Sequence, residues 1–309
     1  CYFLVNFVSV CIYRFYCHRN FSECGLKLGY DAKLYKELFT YTGWNVIGAI
    51  AHMANNQGMN VLLNIFFGTV VNASRGIAMN VAGIVGQFVS NFQSSASPQI
   101  IKYYSAGNIE QMNKLISNAS KYATYIFLVI AIPVFIEAEE LLRLWLGIIP
   151  QYSVWFVRLT IIQTLVVSID IPVGRGIQAY GRMKLPNLTS ALVYMSVLPI
   201  SYVSVKLGAT VYVVYWITIA AYPGALLFDL WILHKYSGFN GWFFIKDVVL
   251  RCLSYCLLIG ICPTIIHLYM HASLVRIILV CVSSGDLSLV VIFFLGIPNN
   301  LRKTVINQI

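Results

Sequence analysis

Charge is what this sequence has least of. In 309 residues there are 11 Asp and Glu and 21 Lys and Arg, so 10% of the chain is charged, where a soluble globular domain carries roughly 25%. That shortage excludes an ordinary water-soluble domain, and 59% apolar residues with a mean hydropathy of +0.75 point to lipid as the solvent. Also missing is the alternation of period two over ten-residue blocks that marks an outer-membrane barrel. Helices remain, because a backbone in hydrocarbon must satisfy its polar groups within its own segment. The expected fold class is therefore all-α, a polytopic helical membrane protein.

Other absences narrow the function. The eight cysteines, Cys1, Cys11, Cys17, Cys24, Cys252, Cys256, Cys262 and Cys281, form no CxxC pair, and Cys17, His18 and Cys24 match no zinc spacing. Neither a metal site nor a cofactor is expected. Nothing resembles a Walker loop, a nucleophile elbow, HExxH or a dinucleotide fingerprint, so the chain is not expected to be an enzyme or to drive transport with ATP by itself. No connection is long enough to fold as a separate soluble domain, and there is no low-complexity tract.

What is present is a succession of apolar stretches of about 20 residues, each able to cross a bilayer as a helix. One partial span, 1–13, precedes eight full ones near 42–66, 70–96, 123–146, 153–175, 186–206, 209–233, 248–270 and 273–297. The first begins at Cys1 without the basic start and small-residue cleavage site of a signal peptide, and it reads as the tail of a helix whose beginning is missing. Residues 14–41 read as a loop mixing aromatics with both signs of charge. The amphipathic stretch 98–122 reads as a segment lying along the cytoplasmic interface.

Orientation follows from the basic residues, whose excess marks the cytoplasmic side. With 14–41 inside, one side collects Arg14, Arg19, Lys27, Lys33, Lys36, Lys102, Lys114, Lys121, Arg175, Arg182, Lys184, Lys235, Lys246, Arg251, Arg302 and Lys303, sixteen in all, against Arg143, Arg158, Lys206 and Arg276 on the other. The net charge of +10 is thus explained by topology and by anionic membrane lipids. It requires no nucleic acid.

Two spans are unusually polar. On a helix His52, Asn56, Asn60 and Asn64 recur every four residues, so each side chain turns by only about 40° from the last and the four form a stripe. Asn55 and Gln57 flank it. In the next span Asn72, Arg75, Asn80, Gln87, Ser90, Asn91 and Ser94 share a face of about 160° with Gly76, Gly83 and Gly86. Either these amides bond across helix interfaces, as polar side chains do in membrane bundles, or they line a wet cavity. A cavity rich in amides and poor in carboxylates suits a ligand with many hydroxyls, such as a glycan.

Arg75 adds a fork of donors matched to phosphate oxygens, and an ionisable residue inside a membrane is a functional candidate; the other reading is snorkelling to the periplasmic interface with Asn72. Asp170, in "VVSIDIPVGRG" with Arg175 five residues on, and Asp286, in "SSGDLS", are candidates for carrying a coupling proton or sodium ion, or for pairing with a neighbouring helix. Asp229 is expected at the interface beside His234 and Lys235. Glu137, Glu139, Glu140 and Arg143 are expected to form a solvated patch.

The block "YTGWNVIGAIAHMANNQGMNVLLNIFFGTVVNASRGIAMNVAGIVGQFVSNFQSSASPQIIKYYSAGN", residues 41–108, resembles the bacterial polysaccharide transporter family, the O-antigen and capsule flippases of the multidrug/oligosaccharidyl-lipid/polysaccharide exporter superfamily. "LLRLWLGIIPQY" (141–152) and "GIQAYGRMKLPN" (176–187) resemble later segments of that family in the same order. The resemblance implies a MATE-like two-lobe transporter working by alternating access. Residues 42–233 would be its second six-helix lobe, 248–297 an extra C-terminal helix pair, and 1–13 the end of the last helix of a first lobe.

It also implies transport of an undecaprenyl-pyrophosphate-linked oligosaccharide from the cytoplasmic to the periplasmic leaflet of the bacterial inner membrane, driven by an ion gradient. His52, Asn56, Gln57, Asn60, Asn64, Asn72, Asn80, Gln87 and Asn91 would line the cavity and Arg75 would take the pyrophosphate. "DIPVGRG" is more charged than that family leads one to expect there. Two other functions stand beside this one: a multidrug or small-molecule exporter of the same superfamily, and a membrane glycosyltransferase or polymerase of the same pathway, which would need a catalytic site in a sizeable extramembrane loop.

Overall fold

The computed structural model describes residues 2–21 and 31–296. Within them all regular structure is helical: α1 (Tyr2–Asn20), α2 (Ala32–Phe67), α3 (Thr69–Ser105), α4 (Ile109–Ile136), α5 (Ala138–Leu146), α6 (Ser153–Ala179), α7 (Lys184–Lys206), α8 (Val213–Ser237), α9 (Gly241–Phe244), α10 (Arg251–Tyr269) and α11 (Leu274–Val291). A π-helical turn, Ile245–Leu250, joins α9 to α10, and a second, Ile292–Gly296, follows α11. Among the described residues six helical stretches are long and apolar enough to cross a membrane: α4, α6, α7, α8, Gly241–Tyr269 and Leu274–Phe294. The chain is a multi-pass membrane protein. α2 and α3, expected as spans over 42–66 and 70–96, are helices of 36 and 37 residues, but their amides, hydroxyls and charges leave them less apolar than these six.

The chain divides between Thr42 and Gly43 into two units, the first holding α1 and the start of α2. Three expected boundaries change, one of them the span 123–146, which breaks at Glu137 between α4 and α5. The connection over 14–41 is helical up to Asn20 and again from Ala32, while Cys24 and Lys27 lie outside the described residues, as do Cys1, Arg302 and Lys303. The stretch 98–122 is not one interfacial segment. α3 runs on to Ser105, the backbone turns at Gly107 with φ +71°, and Asn108 opens α4 by accepting a hydrogen bond from the Gln111 amide at 3.2 Å. Met112, Ile116, Ala119 and Ala123, spaced three and four apart, are buried, so the apolar face of this segment packs into the second unit.

α6 is the centre of that unit, packed against α3, α4 and α8, with α7 on α8. Proline explains part of how it is held. Pro172 lies inside α6 and has no N–H, so the carbonyl four residues earlier, that of Ser168, loses its helical donor. The Gln93 side-chain amide of α3 donates to it instead at 2.7 Å, and Ser120 of α4 donates to the next carbonyl, that of Ile169, at 2.9 Å. Prolines also lie inside α3 (Pro98), α4 (Pro133), α7 (Pro199), α8 (Pro223) and α10 (Pro263).

α2 and α3 are joined through Gly68 alone, which has φ +83° and ψ −175°, a conformation close to glycine-only. Gly68→Ala should therefore destabilise the hairpin by about 1–3 kcal/mol. Gly174→Ala, in α6 where a Cβ meets nothing within 4 Å, is the matched control. Thermal unfolding in detergent compares them, and equal behaviour of the two variants would contradict the strain argument.

The C-terminal helices pack on α4, and ion pairs fasten both ends of the contact. At one end Lys121 of α4 pairs with Asp247, which also pairs with Arg251 at 2.7 Å. At the other, Glu137 accepts hydrogen bonds from Arg276 Nη2 at 2.9 Å and pairs with His267 Nδ1 at 2.8 Å. Between them the rings of Tyr125 and Tyr255 lie 5.4 Å apart. This corrects the solvated patch: Glu139 pairs with Arg143 at 3.1 Å in the open, but Glu137 is 0% exposed. The reason is its place at the break between α4 and α5, where its side chain is held by residues of α10 and α11.

Candidate functional site

The polar stripe of α2 faces the polar face of α3 across the turn at Gly68, and the Arg75 side chain spans the space between them. Asn60, eight residues before the turn, and Asn56, one helical turn further back, both reach Arg75, seven residues after it. Arg75 donates from Nε to Asn60 Oδ1 and from Nη2 to Asn56 Oδ1, both at 2.7 Å, while Asn60 Nδ2 donates to Gln57 Oε1 at 3.3 Å. Arg75 is only 8% exposed, and among the described residues no carboxylate pairs with it. Its guanidinium also lies within electrostatic reach of the phenols of Tyr215 and Tyr222 on α8. Arg75 thus does not snorkel away from the bundle. It is buried between α2 and the rest of the bundle.

Two cavities flank it. One, of about 240 Å³, lies among α2, α3, α6 and α8 and is lined by His52, Asn55, Asn56, Arg75, Thr160, Gln163, Thr164, Thr218, Tyr215 and Tyr222, among others. The other, of about 640 Å³, lies between α2 and α3 and is lined by Asn56, Gln57, Asn60, Asn64, Asn72, Arg75 and Asn80 together with Thr69, Ala73, Gly76 and Met79. Asn56, Arg75 and Met79 belong to both linings and form the wall between them. Eight of the ten sequence candidates, His52, Asn56, Gln57, Asn60, Asn64, Asn72, Arg75 and Asn80, therefore converge on the two cavities. Gln87 and Asn91 line neither: Gln87 Nε2 donates to Asn91 Oδ1 at 3.0 Å on an exposed face of α3.

The α6 and α8 walls were not among the candidates. Thr160, Gln163 and Thr164 recur at i, i+3 and i+4, and Thr218 and Tyr222 at i, i+4, so each set shares a helix face. Those spacings were readable as weak polar stripes in otherwise apolar helices. The two threonines of α6 and Thr218 bond their own helix, each hydroxyl donating to a carbonyl four residues back.

The carboxylates separate. Arg175 donates to Gln178 Oε1 at 2.8 Å and leaves Asp170 alone. Asp229, expected at the interface, is 7% exposed; its Oδ1 and that of Asp170 are buried with no hydrogen-bond partner among the described residues. The two carboxylates lie within electrostatic reach of each other and of the Tyr194 phenol of α7. Asp229 faces inward because α8 continues past it to Ser237 and packs on α6 and α7 along its length. Asp286 is exposed on α11, which packs on α10 and α4, and it lines neither cavity.

Amides, hydroxyls and one unneutralised guanidinium can hold an anion with hydroxyl-bearing substituents. Compared with protein families, with curated proteins and with solved structures, the chain matches none.

Proposed function

We propose that residues 42–233 form one lobe of a transporter that carries a polyprenyl-pyrophosphate-linked oligosaccharide across the inner membrane of a bacterium, from the cytoplasmic to the periplasmic leaflet. The observation that carries this reading is Arg75: a buried cation without a carboxylate partner among the described residues, set between two amide-lined cavities of a helical membrane protein. The guanidinium suits the pyrophosphate, and the carboxamides of α2 and α3 suit sugar hydroxyls. The polyprenyl tail stays in lipid. The resemblance of residues 41–108 to polysaccharide flippases supports the same cargo, and with it a MATE-like partner lobe and alternating access. Asp170, with Asp229 beside it, is the place for a coupling proton or sodium ion.

The test uses cells whose export of a lipid-linked glycan depends on this protein. Depletion should leave the glycan on the inner leaflet, out of reach of an external lectin, and re-expression should restore lectin binding. Efflux of cationic dyes that depends on the protein, with glycan delivery unaffected, would replace this reading by the multidrug exporter.

A further inference from the structure

An arginine fork has one edge, Nε–H and an Nη2–H, whose two parallel donors match a pair of oxygens on one phosphate or carboxylate. In this protein that edge is occupied by the chain itself. Asn60 Oδ1 takes Nε and Asn56 Oδ1 takes Nη2, each at 2.7 Å. Two neutral carboxamide oxygens from α2 hold the positions that two oxygens of one anion would hold, without neutralising the charge.

The same two bonds tie α2 to α3. Elsewhere α2 leans on α7, with Gly58 against Leu198, His52 edge-on to Tyr194 at 5.4 Å and Phe66 against Tyr202 at 5.7 Å. The Asn56–Arg75 bridge is also, with Met79, part of the wall between the cavities of about 240 and 640 Å³.

We propose that Asn56, Asn60 and Arg75 form an anion-operated latch: a phosphate-class dianion that takes the guanidinium fork displaces both carboxamides, frees α2 from α3 and joins the two cavities. The displacement follows from charge, since a hydrogen bond between two ionised groups is stronger than one to a neutral amide. Asn56 and Asn60 are positioning residues in this arrangement, standing in for the ligand until it arrives. The inference rests on Arg75 as the anion site of the proposed function, and it adds what the anion does there.

The experiment places spin labels, introduced through a ketone-bearing unnatural amino acid so that the native cysteines are untouched, at Ile50 of α2 and Phe88 of α3, both exposed. The full chain is measured by pulsed electron resonance in neutral-lipid nanodiscs. One arm adds inorganic pyrophosphate to the water, and the other adds a polyprenyl pyrophosphate to the lipid. A change in the label distance in either arm is the expected result. A response to the soluble probe identifies free phosphate as sufficient, and a response to the lipid alone identifies a headgroup.

Arg75→Gln should abolish the response. In the double variant Asn56→Asp/Asn60→Asp, where carboxylates replace the neutral acceptors, at least tenfold more pyrophosphate should be needed. No change in either arm for the native residues, or an unaltered response in the double variant, overturns the latch. Glycan delivery without a distance change sinks the latch and leaves the transporter; a distance change without glycan delivery does the reverse.

Discussion

Arg75→Ala should stop delivery of lipid-linked glycan to the outer leaflet while the protein still inserts into the membrane in normal amount. Two charge-assisted hydrogen bonds to a pyrophosphate contribute about 1.5–3 kcal/mol each, so their joint loss lowers binding about 100-fold or more. At limiting cargo that is loss of transport. Arg75→Lys keeps the charge but not the fork, and Lys cannot match two oxygens at once, so delivery should fall between native and Ala. The order Arg, Lys, Ala is the informative part: a site needing only positive charge would leave Lys near native. Lectin labelling of the cell surface, with the variant's membrane abundance measured in parallel, reads both quantities. Native delivery by the Ala variant would remove Arg75 from the cargo site.

Glu137→Ala should cause the largest loss of stability. Glu137 is fully buried and faces Arg276, which is 8% exposed and whose Nε already lacks a partner. Removing the carboxylate leaves the buried cation with only Glu140, 3.9 Å from Nη2, and breaking a buried pair in this way costs about 3–5 kcal/mol. Removing both charges with apolar residues of similar volume, Glu137→Met with Arg276→Leu, should recover most of that loss, because a buried pair contributes little beyond what its desolvation takes away. Thermal unfolding in detergent is the measurement. A double variant as unstable as the single one would show that shape, not charge balance, governs the α4–α5 corner. Glu137→Gln should fall between them, since it keeps an acceptor for the guanidinium.

The helices were legible because hydrocarbon imposes a length and a composition on anything that crosses it, and the α2 stripe because its spacing of four is visible in one dimension. Arg75 could be singled out for the same local reason. Its partners were within 20 residues, across a turn marked by glycine, so the hairpin was close to readable as well. Glu137 was misjudged because its fate depends on His267 and Arg276, 130 and 139 residues further on. From local sequence, three glutamates near an arginine describe a wet surface. Asp229 failed in the same way, since nearby His234 and Lys235 suggested an interface while burial was decided by the packing of α8 on α6 and α7. Gln93 shows the intermediate case: Pro172 announces that the Ser168 carbonyl needs a new donor, but not which residue supplies it.

The six internal prolines bear on how such a bundle can move. Each removes one rung from its helix, so the carbonyls of Ser94, Val129, Ser168, Met195, Ile219 and Ile259 have no amide from their own coil. A helix interrupted in this way flexes at the gap without breaking any further rung, whereas an intact coil in hydrocarbon would have to expose a polar group to bend. The helices interrupted well inside their ends, at Pro172, Pro199, Pro223 and Pro263, are thus jointed partway along their length. Motion of one leaflet-side half against the other can be taken up at those joints, with the turns between helices left as they are.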